Sequence, residues 1–363
     1  MGEFPSGQRG QTVNLLSSTS VVRIHLPPPK IFPNLFGKIF TYYPLIFHLY
    51  GVSIGRVLRN SPAFCPGLGG AVNYTRRVLE RARKEKGIYH ITVVKNGISV
   101  TESITPANKT NNCYSVAKAF TVTALGMLYD DGLLSPDEKP IDIFRNQLPD
   151  RIDPKWEQIT LDHVIRHRWG IGCGFLDIDS EDVNAFEKKY GTRNDFLKIV
   201  FSTDLPNTPG DEDANGSVYS DAAYYLLSRV VSEKTGKTLF DFMRERLFVP
   251  CAFQEFAWSA CPMGYSMGAT GLYIRTPDMA KLGRIYLNGG VFDGKRYISK
   301  EWCDIVFERG YELKETAPGC YAKGGMCGQM LFVDRNRNAV VAWQGFDNDG
   351  YSKRMLRFIT ESY

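Results

Sequence analysis

Ser115-Val116-Ala117-Lys118 stands at the start of a strongly apolar run that ends at Gly132. The apolar side chains of this run recur with helical spacing, which predicts a helix. Residues three positions apart share one face of a helix, so the amine of Lys118 can reach the hydroxyl of Ser115. The stretch therefore indicates a nucleophile beside its base, at a helix start whose free N–H groups favour developing negative charge.

A phenol follows later in the chain, in Tyr219-Ser220-Asp221, again at the start of an apolar helical run over residues 222–235. If the fold brings Tyr219 beside Lys118, the amine and the phenol can share the proton of the serine. The hydroxyl, the amine and the phenol are thus predicted to form one catalytic set.

A third segment, Gly325-Met326-Cys327-Gly328-Gln329, leads into an apolar stretch that is typical of a strand. Its two glycines would let the backbone approach a bound acyl group closely. We expect the N–H group of Gln329, together with that of Ser115, to form an oxyanion hole next to Gly328.

The strand patterns lie at both ends of the credible protein, which we take to be residues 73–363. Residues 89–94 and 98–100 flank Asn96-Gly97, a typical two-residue hairpin turn. Residues 329–333 and 339–343 form a second strand pair, and residues 352–360 a terminal helix. The region in between, about 113–240, carries helical patterns. We therefore predict an α+β fold, with an antiparallel sheet, flanking terminal helices and an inserted helical subdomain.

The bulk composition excludes some functions. The chain has 363 residues and a formal net charge of +5, without a basic run, so a nucleic-acid partner is not expected. The eight cysteines form no C-x-x-C pair and indicate reduced thiols. Together with the lack of a clear secretion signal, this favours the cytoplasm.

Residues 1–72 read as a doubtful N-terminal extension. Codons for residues 21–28 can spell the conserved T-arm of a transfer RNA gene, and codons for residues 11–15 an anticodon loop, so we expect residues 1–29 to be a translated tRNA gene. Residues 30–56 are apolar, but Pro33, Lys38, Pro44 and His48 interrupt them, so a membrane anchor is not expected.

The ordered set of Ser115–Lys118, Tyr219–Asp221 and a glycine-flanked box before a late hairpin resembles the class C β-lactamase-like serine hydrolases. Residues 161–170 and 271–283 resemble further stretches of that family, and the likeness covers about residues 73–350. The resemblance implies a β-lactamase/transpeptidase-like fold, catalysis by Ser115, Lys118 and Tyr219, and a cleft lined by Asp221 and Trp169.

Two departures from the family pattern bear on the substrate. The second box of the family usually ends in Asn, where this chain has Asp221. The third box usually opens with Lys or His, where we aligned Met326 and Cys327. We therefore expect the cleft to lack a cation for a substrate carboxylate, which argues against a potent β-lactamase.

Two local motifs are expected to be misleading. Lys234-Thr235-Gly236 spells the third box of the family, but it ends a predicted helix rather than opening a strand. Ser266 lies in a G-x-S-x-G motif, yet all five histidines precede it, so a nucleophile elbow cannot complete its triad.

A histidine pair is also not expected to bind metal. His163 and His167 are spaced like zinc ligands, but Val164 stands where the glutamate of H-E-x-x-H would be. We therefore expect neither a metal nor a cofactor.

The predicted function is hydrolysis of a small-molecule ester, amide or peptide-like substrate through an acyl-enzyme on Ser115. A penicillin-binding D-alanyl-D-alanine peptidase or weak β-lactamase is an alternative. A non-catalytic binding module with the same fold is another. The sequence leaves the oligomeric state open.

Overall fold

The computed structural model describes residues 68–179, 188, 195–211 and 217–361. The helices of this part, in chain order, are α1 (Leu68–Ala82), α2 (Ala117–Asp130), α3 (Pro140–Ile143), α4 (Leu161–Ile165), α5 (Phe196–Phe201), α6 (Asp221–Thr235), α7 (Leu239–Met243), α8 (Thr276–Leu287), α9 (Lys300–Arg309) and α10 (Tyr351–Glu361). Short 3₁₀ turns cover Tyr114–Val116, Arg145–Gln147 and Pro154–Gln158, and a π-turn covers Arg244–Phe248.

The strands of the same part are β1 (Ile88–Lys95), β2 (Ile98–Ser103), β3 (Asn111–Asn112), β4 (Ala257–Trp258), β5 (Leu272–Ile274), β6 (Val291–Phe292), β7 (Lys295–Arg296), β8 (Lys314–Ala317), β9 (Cys320–Gly324), β10 (Met330–Asp334) and β11 (Ala339–Gly345). Six of them form one antiparallel sheet in the order β2-β1-β11-β10-β9-β8. The first two strands therefore pair with the last four, and the sheet is built from both ends of the chain as predicted.

The turn between β1 and β2 follows from its two residues. Asn96 and Gly97 both have positive φ, 50° and 80°. This is the backbone of the type I′ turn, whose twist matches that of the flanking strands.

The two faces of the sheet bury separate cores, because successive side chains of a strand point to opposite faces. On β11, Val341 and Trp343 pack with the terminal helices α1 and α10. Val340 and Ala342 pack on the other side, in the larger core that includes the helices inserted between the strands. The predicted α+β arrangement of sheet, terminal helices and helical insertion is confirmed.

Helix α2 lies inside this larger core. All its residues from Ala117 to Leu128 are buried, so the sequence is apolar around the whole helix rather than on one face. Because α2 follows directly on the Tyr114–Val116 turn, its first turn carries Ser115 and Lys118 against α6 and β9. The site is thus built on a rigid element.

Some boundaries differ from the predicted ones. Helix α1 begins at Leu68, before the expected start at residue 73. The sequence analysis missed β8 and β9, because β8 is largely exposed and β9 has no polar–apolar alternation. The predictions of a translated tRNA gene and of no anchor in residues 30–56 lie outside the described residues.

Two properties of the described chain bear on its surroundings. None of the helices within the described ranges combines the length and the apolar character that a membrane crossing needs. Seven cysteines fall in these ranges and all are free thiols, five of them buried.

Candidate active site

Ser115 is presented by a strained turn. Tyr114, directly before it, has φ of +47°, a conformation that side chains with a Cβ rarely adopt. The N–H group of Tyr114 donates to Oδ1 of Asn112 at 2.8 Å, which holds the turn at the end of β3. The chain then enters α2, so the half-buried Ser115 lies at the N-terminal end of a helix.

The Lys118 amine lies beneath Ser115 and is fully buried. Its Nζ donates to Oγ of Ser115 at 3.2 Å and to the carbonyl of Ala269 at 3.1 Å. A third bond joins Nζ to Oδ1 of Asp221 at 2.6 Å, in an ion pair that is almost completely buried. The three acceptors fix the amine in one position.

This ion pair decides the charge of Lys118. Burial disfavours the charged amine, but the nearby Asp221 carboxylate outweighs burial and raises the pKa of Lys118 above its usual value of 10.5. Lys118 is therefore an ammonium group at neutral pH.

Tyr219 completes the predicted set. Its Oη donates to Oγ of Ser115 at 2.8 Å, although the side chain is 48% exposed. Nζ of Lys118 lies 4.6 Å from the centroid of the Tyr219 ring. The structure thus brings the phenol to the hydroxyl and the amine, which lie about a hundred residues earlier in the chain.

Asp221 begins α6, directly after the N-cap Ser220, whose side chain accepts from the N–H group of Ala222. A carboxylate in the first turn of a helix is favoured by the helix dipole. Asp221 is 6% exposed and its carboxylate binds Lys118. Its place in the site is that of a buried counter-ion, not of a residue that lines an open cleft.

The expectation that Trp169 lines the cleft is wrong. Its side chain has no exposed surface, and its ring packs against Trp156 and Phe175 at centroid distances of 5.5 and 5.9 Å. Trp169 belongs to the core of the helical region, where a large aromatic ring contributes most by burying its surface.

Gly328 does not face an acyl group. Its carbonyl accepts from Nε1 of Trp343 at 2.8 Å and from Oη of Tyr351 at 3.2 Å, both in the core beneath the terminal helices. A Cβ at this position would lie 2.6 Å from Cβ of Asp347. The glycine is required by that packing and by its φ of +86°, so its predicted contact with substrate is wrong.

Gln329 is also buried, at 2% exposure. Its Nε2 donates to the carbonyl of Gly345 at 3.0 Å, and its own carbonyl accepts from the N–H group of Gly325 at 2.8 Å. The bond with Gly325 closes the turn between β9 and β10, and the bond with Gly345 ties that turn to β11. The role of the Gln329 N–H group in an oxyanion hole stays a prediction.

Sequence analysis missed Lys323, near the end of β9. Its Nζ lies 5.2 Å from the centroid of the Tyr219 ring, on the same residue that contacts Ser115. The site therefore contains a second cation that the sequence analysis did not identify, and its Nζ is paired with Glu312. Lys323-Gly324-Gly325 stands immediately before the segment aligned as the third box, so an alignment shifted by three residues, with β9 recognised as a strand, would have found it.

A family model described as Beta-lactamase matches residues 93–359, most of the chain. This chain belongs to the Beta-lactamase family. The matched range contains every residue of the site described above, and the family resemblance noted in the sequence is confirmed.

Individual relatives of this Beta-lactamase family member are distant. A penicillin-binding protein from Bacillus subtilis is 24% identical over 154 residues, which are 40% of this chain and 31% of that protein. A 6-aminohexanoate-dimer hydrolase from Paenarthrobacter ureafaciens is 23% identical over 209 residues, 56% of this chain and 52% of the relative. The chain thus spans about a third to a half of the length of these curated relatives.

Among solved structures, a family VIII carboxylesterase resembles this chain with a TM-score of 0.58 and 15% identity. The match covers 81% of this chain and 97% of the carboxylesterase. At this identity the likeness concerns the fold, which it supports over about four fifths of this chain and nearly the whole of the carboxylesterase.

The two misleading motifs have structural roles in this Beta-lactamase family member. Gly236 caps the C-terminus of α6 with φ of +69°, and Lys234 pairs with Glu138 at 2.5 Å. Ser266 is 2% exposed, and its Oγ accepts from the N–H group of Phe240 at 3.0 Å. Both motifs are explained by local packing, as predicted.

The site also holds three carboxylates whose oxygens lie within 4.8 Å of one another, those of Asp177, Asp179 and Asp221. The ammonium group of Lys118 already binds Asp221, and the hydroxyl of Thr270 donates to Asp179. The ammonium group of Lys118 therefore neutralises part of the negative charge of these three carboxylates.

Proposed function

We propose that this chain is a serine hydrolase that cleaves ester or amide substrates through an acyl-enzyme on Ser115. The observation that carries the proposal is the convergence on Oγ of Ser115 of the Tyr219 phenol at 2.8 Å and the Lys118 amine at 3.2 Å. The family match and relatives described as hydrolases support the same chemistry.

Tyr219 is the group that moves the proton. Because the Asp221 carboxylate keeps Lys118 protonated, the amine cannot accept a proton from Ser115. Tyr219, in its ionised form, takes the proton as Oγ attacks the substrate carbonyl carbon, and then gives it to the departing alcohol or amine. In the second half of the reaction it takes a proton from the water that attacks the acyl-enzyme, and returns one to Ser115.

Lys118 and Lys323 contribute charge to these steps. Their ammonium groups lie 4.6 and 5.2 Å from the centroid of the Tyr219 ring, where positive charge favours the negative charge that Tyr219 carries when it acts as the base. We therefore assign Lys118 an electrostatic and hydrogen-bonding role instead of a share in the proton transfer itself.

For the oxyanion hole we propose the N–H groups of Ser115 and Met326. A Cβ on Gly325 would lie 2.8 Å from the carbonyl of Cys113, so the end of β9 borders the segment that carries the nucleophile. Among the bonds of the described residues, none uses the N–H group of Met326 or that of Gln329. Met326 is 56% exposed and Gln329 2%, so we prefer Met326 to the Gln329 that the sequence analysis predicted.

The test is covalent labelling with a fluorophosphonate, read by intact mass. We expect one adduct on the native protein, none on Ser115→Ala, and an unchanged adduct on Ser266→Ala, the matched control in the buried G-x-S-x-G motif. An adduct that persists on Ser115→Ala would contradict the proposal, and no adduct on the native protein would favour a non-catalytic binding module.

Tyr219→Phe tests the proton-transfer role. The change removes Oη but keeps the ring, so the protein should fold normally while kcat for a para-nitrophenyl ester falls by about a hundredfold or more. Steady-state kinetics measure the loss and thermal unfolding checks the fold. An unchanged kcat would assign the proton transfer to another group.

A penicillin-recognising activity is the second candidate, favoured by the Bacillus subtilis relative. Appreciable hydrolysis of a chromogenic cephalosporin, above that of the esters, would select it.

A further inference from the structure

Lys323 is not a free cation. Its side chain is 9% exposed, and its Nζ forms an ion pair with Oε2 of Glu312. Tyr219, whose ring centroid lies 5.2 Å from this Nζ, is 48% exposed, whereas Glu312 is 2% exposed. The charge of the lysine next to the reacting phenol is therefore matched by a buried carboxylate.

Glu312 is held in place by two partners. Besides Lys323, its Oε1 accepts from Nε2 of His167 at 2.9 Å. Burial alone would raise the pKa of Glu312, but Lys323 and His167 outweigh burial and hold this pKa well below its usual value. Glu312 is thus a carboxylate throughout the working range of pH.

His167 is a neutral hydrogen-bond donor to Glu312 and does not neutralise its charge. The N–H group of Ser220 donates to Nδ1 of His167 at 3.3 Å, so Nε2 carries the proton that is donated to Glu312. Burial lowers the pKa of His167 despite its contact with Glu312, which keeps the imidazole neutral. The lysine is therefore the charged group that pairs directly with the carboxylate, and the ammonium group of Lys118 adds a further favourable charge.

The backbone conformation of His167 and Glu312 supports a functional role for these residues. His167 and Glu312 both adopt positive φ, +60° and +63°, although neither is glycine. Such strain persists where the surroundings impose it, often at functional sites. The ring of His167 also packs on that of Tyr219, with centroids 4.5 Å apart, which ties the pair to the reacting phenol.

We propose that Glu312 is a specificity-determining residue, an internal carboxylate that occupies Lys323 and so excludes substrates whose acyl group carries a carboxylate. A second carboxylate at Lys323 would have to share one ammonium group with Glu312 in a partly dry site, where like charges repel strongly. The preferred substrates are then uncharged esters or amides. This inference rests on the proposed function.

The first experiment uses the native protein and two esters of similar size. We expect kcat/KM for para-nitrophenyl pentanoate to exceed that for para-nitrophenyl hydrogen glutarate, which ends in a carboxylate, by about tenfold or more. Equal rates, or a preference for the glutarate ester, would overturn the proposal without any need for a variant.

The second experiment removes the internal carboxylate. In Glu312→Gln the charge of Lys323 is released, and we expect the glutarate-to-pentanoate ratio of kcat/KM to rise by about tenfold. In the double variant Glu312→Gln, Lys323→Gln both charges are gone, and the ratio should return towards that of the native protein. Glu308→Gln is the matched control, because it makes the same change on an exposed face of α9 and should leave the ratio unchanged.

The glutarate-to-pentanoate ratio of kcat/KM separates a role in specificity from a merely structural role. A variant whose site is only distorted should lose activity on both esters alike and keep the ratio. A Glu312→Gln protein that folds but keeps the native ratio would overturn the proposal. Fluorophosphonate labelling of Ser115 is scored separately, so its failure would reject the hydrolase while an unchanged ratio on a labelled enzyme would reject only the role of Glu312.

Discussion

Tyr219 lies close to two ammonium groups, and each of them has its own buried carboxylate. Lys118 is paired with Asp221, and Lys323 with Glu312. Removing one partner of a buried pair leaves an uncompensated charge, which is far more costly than never having had the pair. Changing Asp221 or Glu312 to its amide should therefore affect the charge around the Tyr219 phenol more than the shape of the site.

The Asp221→Asn variant tests this at the level of one residue. Without the carboxylate, burial favours the neutral amine and the pKa of Lys118 falls. Lys118 then loses its proton at a lower pH and ceases to stabilise the Tyr219 phenolate. We expect the alkaline limb of the pH profile of kcat/KM to move down by about one unit or more.

The control for this profile is Asp137→Asn, which changes an exposed acid to its amide and should leave the limb where it is. A rise in activity at neutral pH would instead indicate that Lys118, and not Tyr219, is the base. If the neutral Lys118 amine takes the serine proton, Asp221→Asn should become more active at neutral pH instead of less active at alkaline pH.

Helix α2 carries the nucleophile, and its position depends on close contact with α9. A Cβ on Gly126 would lie 2.2 Å from the Trp302 ring, whose Nε1 donates to the carbonyl of Val122 at 3.2 Å. Helix propensity alone favours alanine over glycine by about 1 kcal/mol. The contact with the ring reverses that preference, because the indole cannot move without losing its bond to α2.

We therefore expect Gly126→Ala to lower the free energy of unfolding by about 2 kcal/mol, as for other overpacked cores. Gly70→Ala is the matched control in α1, where nothing lies within 4 Å of the added methyl group. It should raise the free energy of unfolding by up to about 1 kcal/mol. Urea unfolding measures the free energy of unfolding of both variants. A Gly126→Ala protein as stable as the native one would show that the Trp302 ring can move aside.

Elements differ in how far their residues predict them. The β1–β2 hairpin follows from Asn96-Gly97, and β10 and β11 from dense apolar residues on both sides of a polar turn. Strand β9 has no such local signal. Its residues are buried by neighbours on both sides of the sheet, an environment that exists only after β8 and β10 pair with it.

At the scale of the whole molecule, buried acids make stability depend on pH. Burial raises the pKa of Asp179 from 3.8 to about 6. Between these values the folded protein holds a proton that the unfolded chain has released, so the free energy of unfolding falls as pH rises through this window. The full cost of ionising Asp179 is present above pH 6.

Asp179→Asn removes this cost while its amide oxygen can still accept from Thr270. We expect the stability of the variant relative to the native protein to increase by about 2 kcal/mol between pH 4.5 and pH 7.5. Thermal unfolding at the two pH values measures the change. The exposed Asp137→Asn variant should show no such trend, and a flat difference for Asp179→Asn would mean that this carboxyl is not desolvated.

The sequence by itself determined what depends on near neighbours. The spacing of Ser115 and Lys118 puts them on one helical face, and the apolar pattern after Asp221 predicts a helix whatever surrounds it. The order of the motifs along the chain was enough to indicate the family. These features are local because helix period and turn geometry span only a few residues.

Only the tertiary structure decided which side chains share the site. Pairing β9 with β10 and packing α6 across α2 brings Lys323 and Glu312 to Tyr219, and sends Trp169 into the core. The contacts of Lys118 and Lys323 with Tyr219 join residues about a hundred positions apart, and no local pattern encodes them. The charge of Lys118 and the occupation of Lys323 follow from their buried partners Asp221 and Glu312, since burial and counter-ions set the state of an ionisable group.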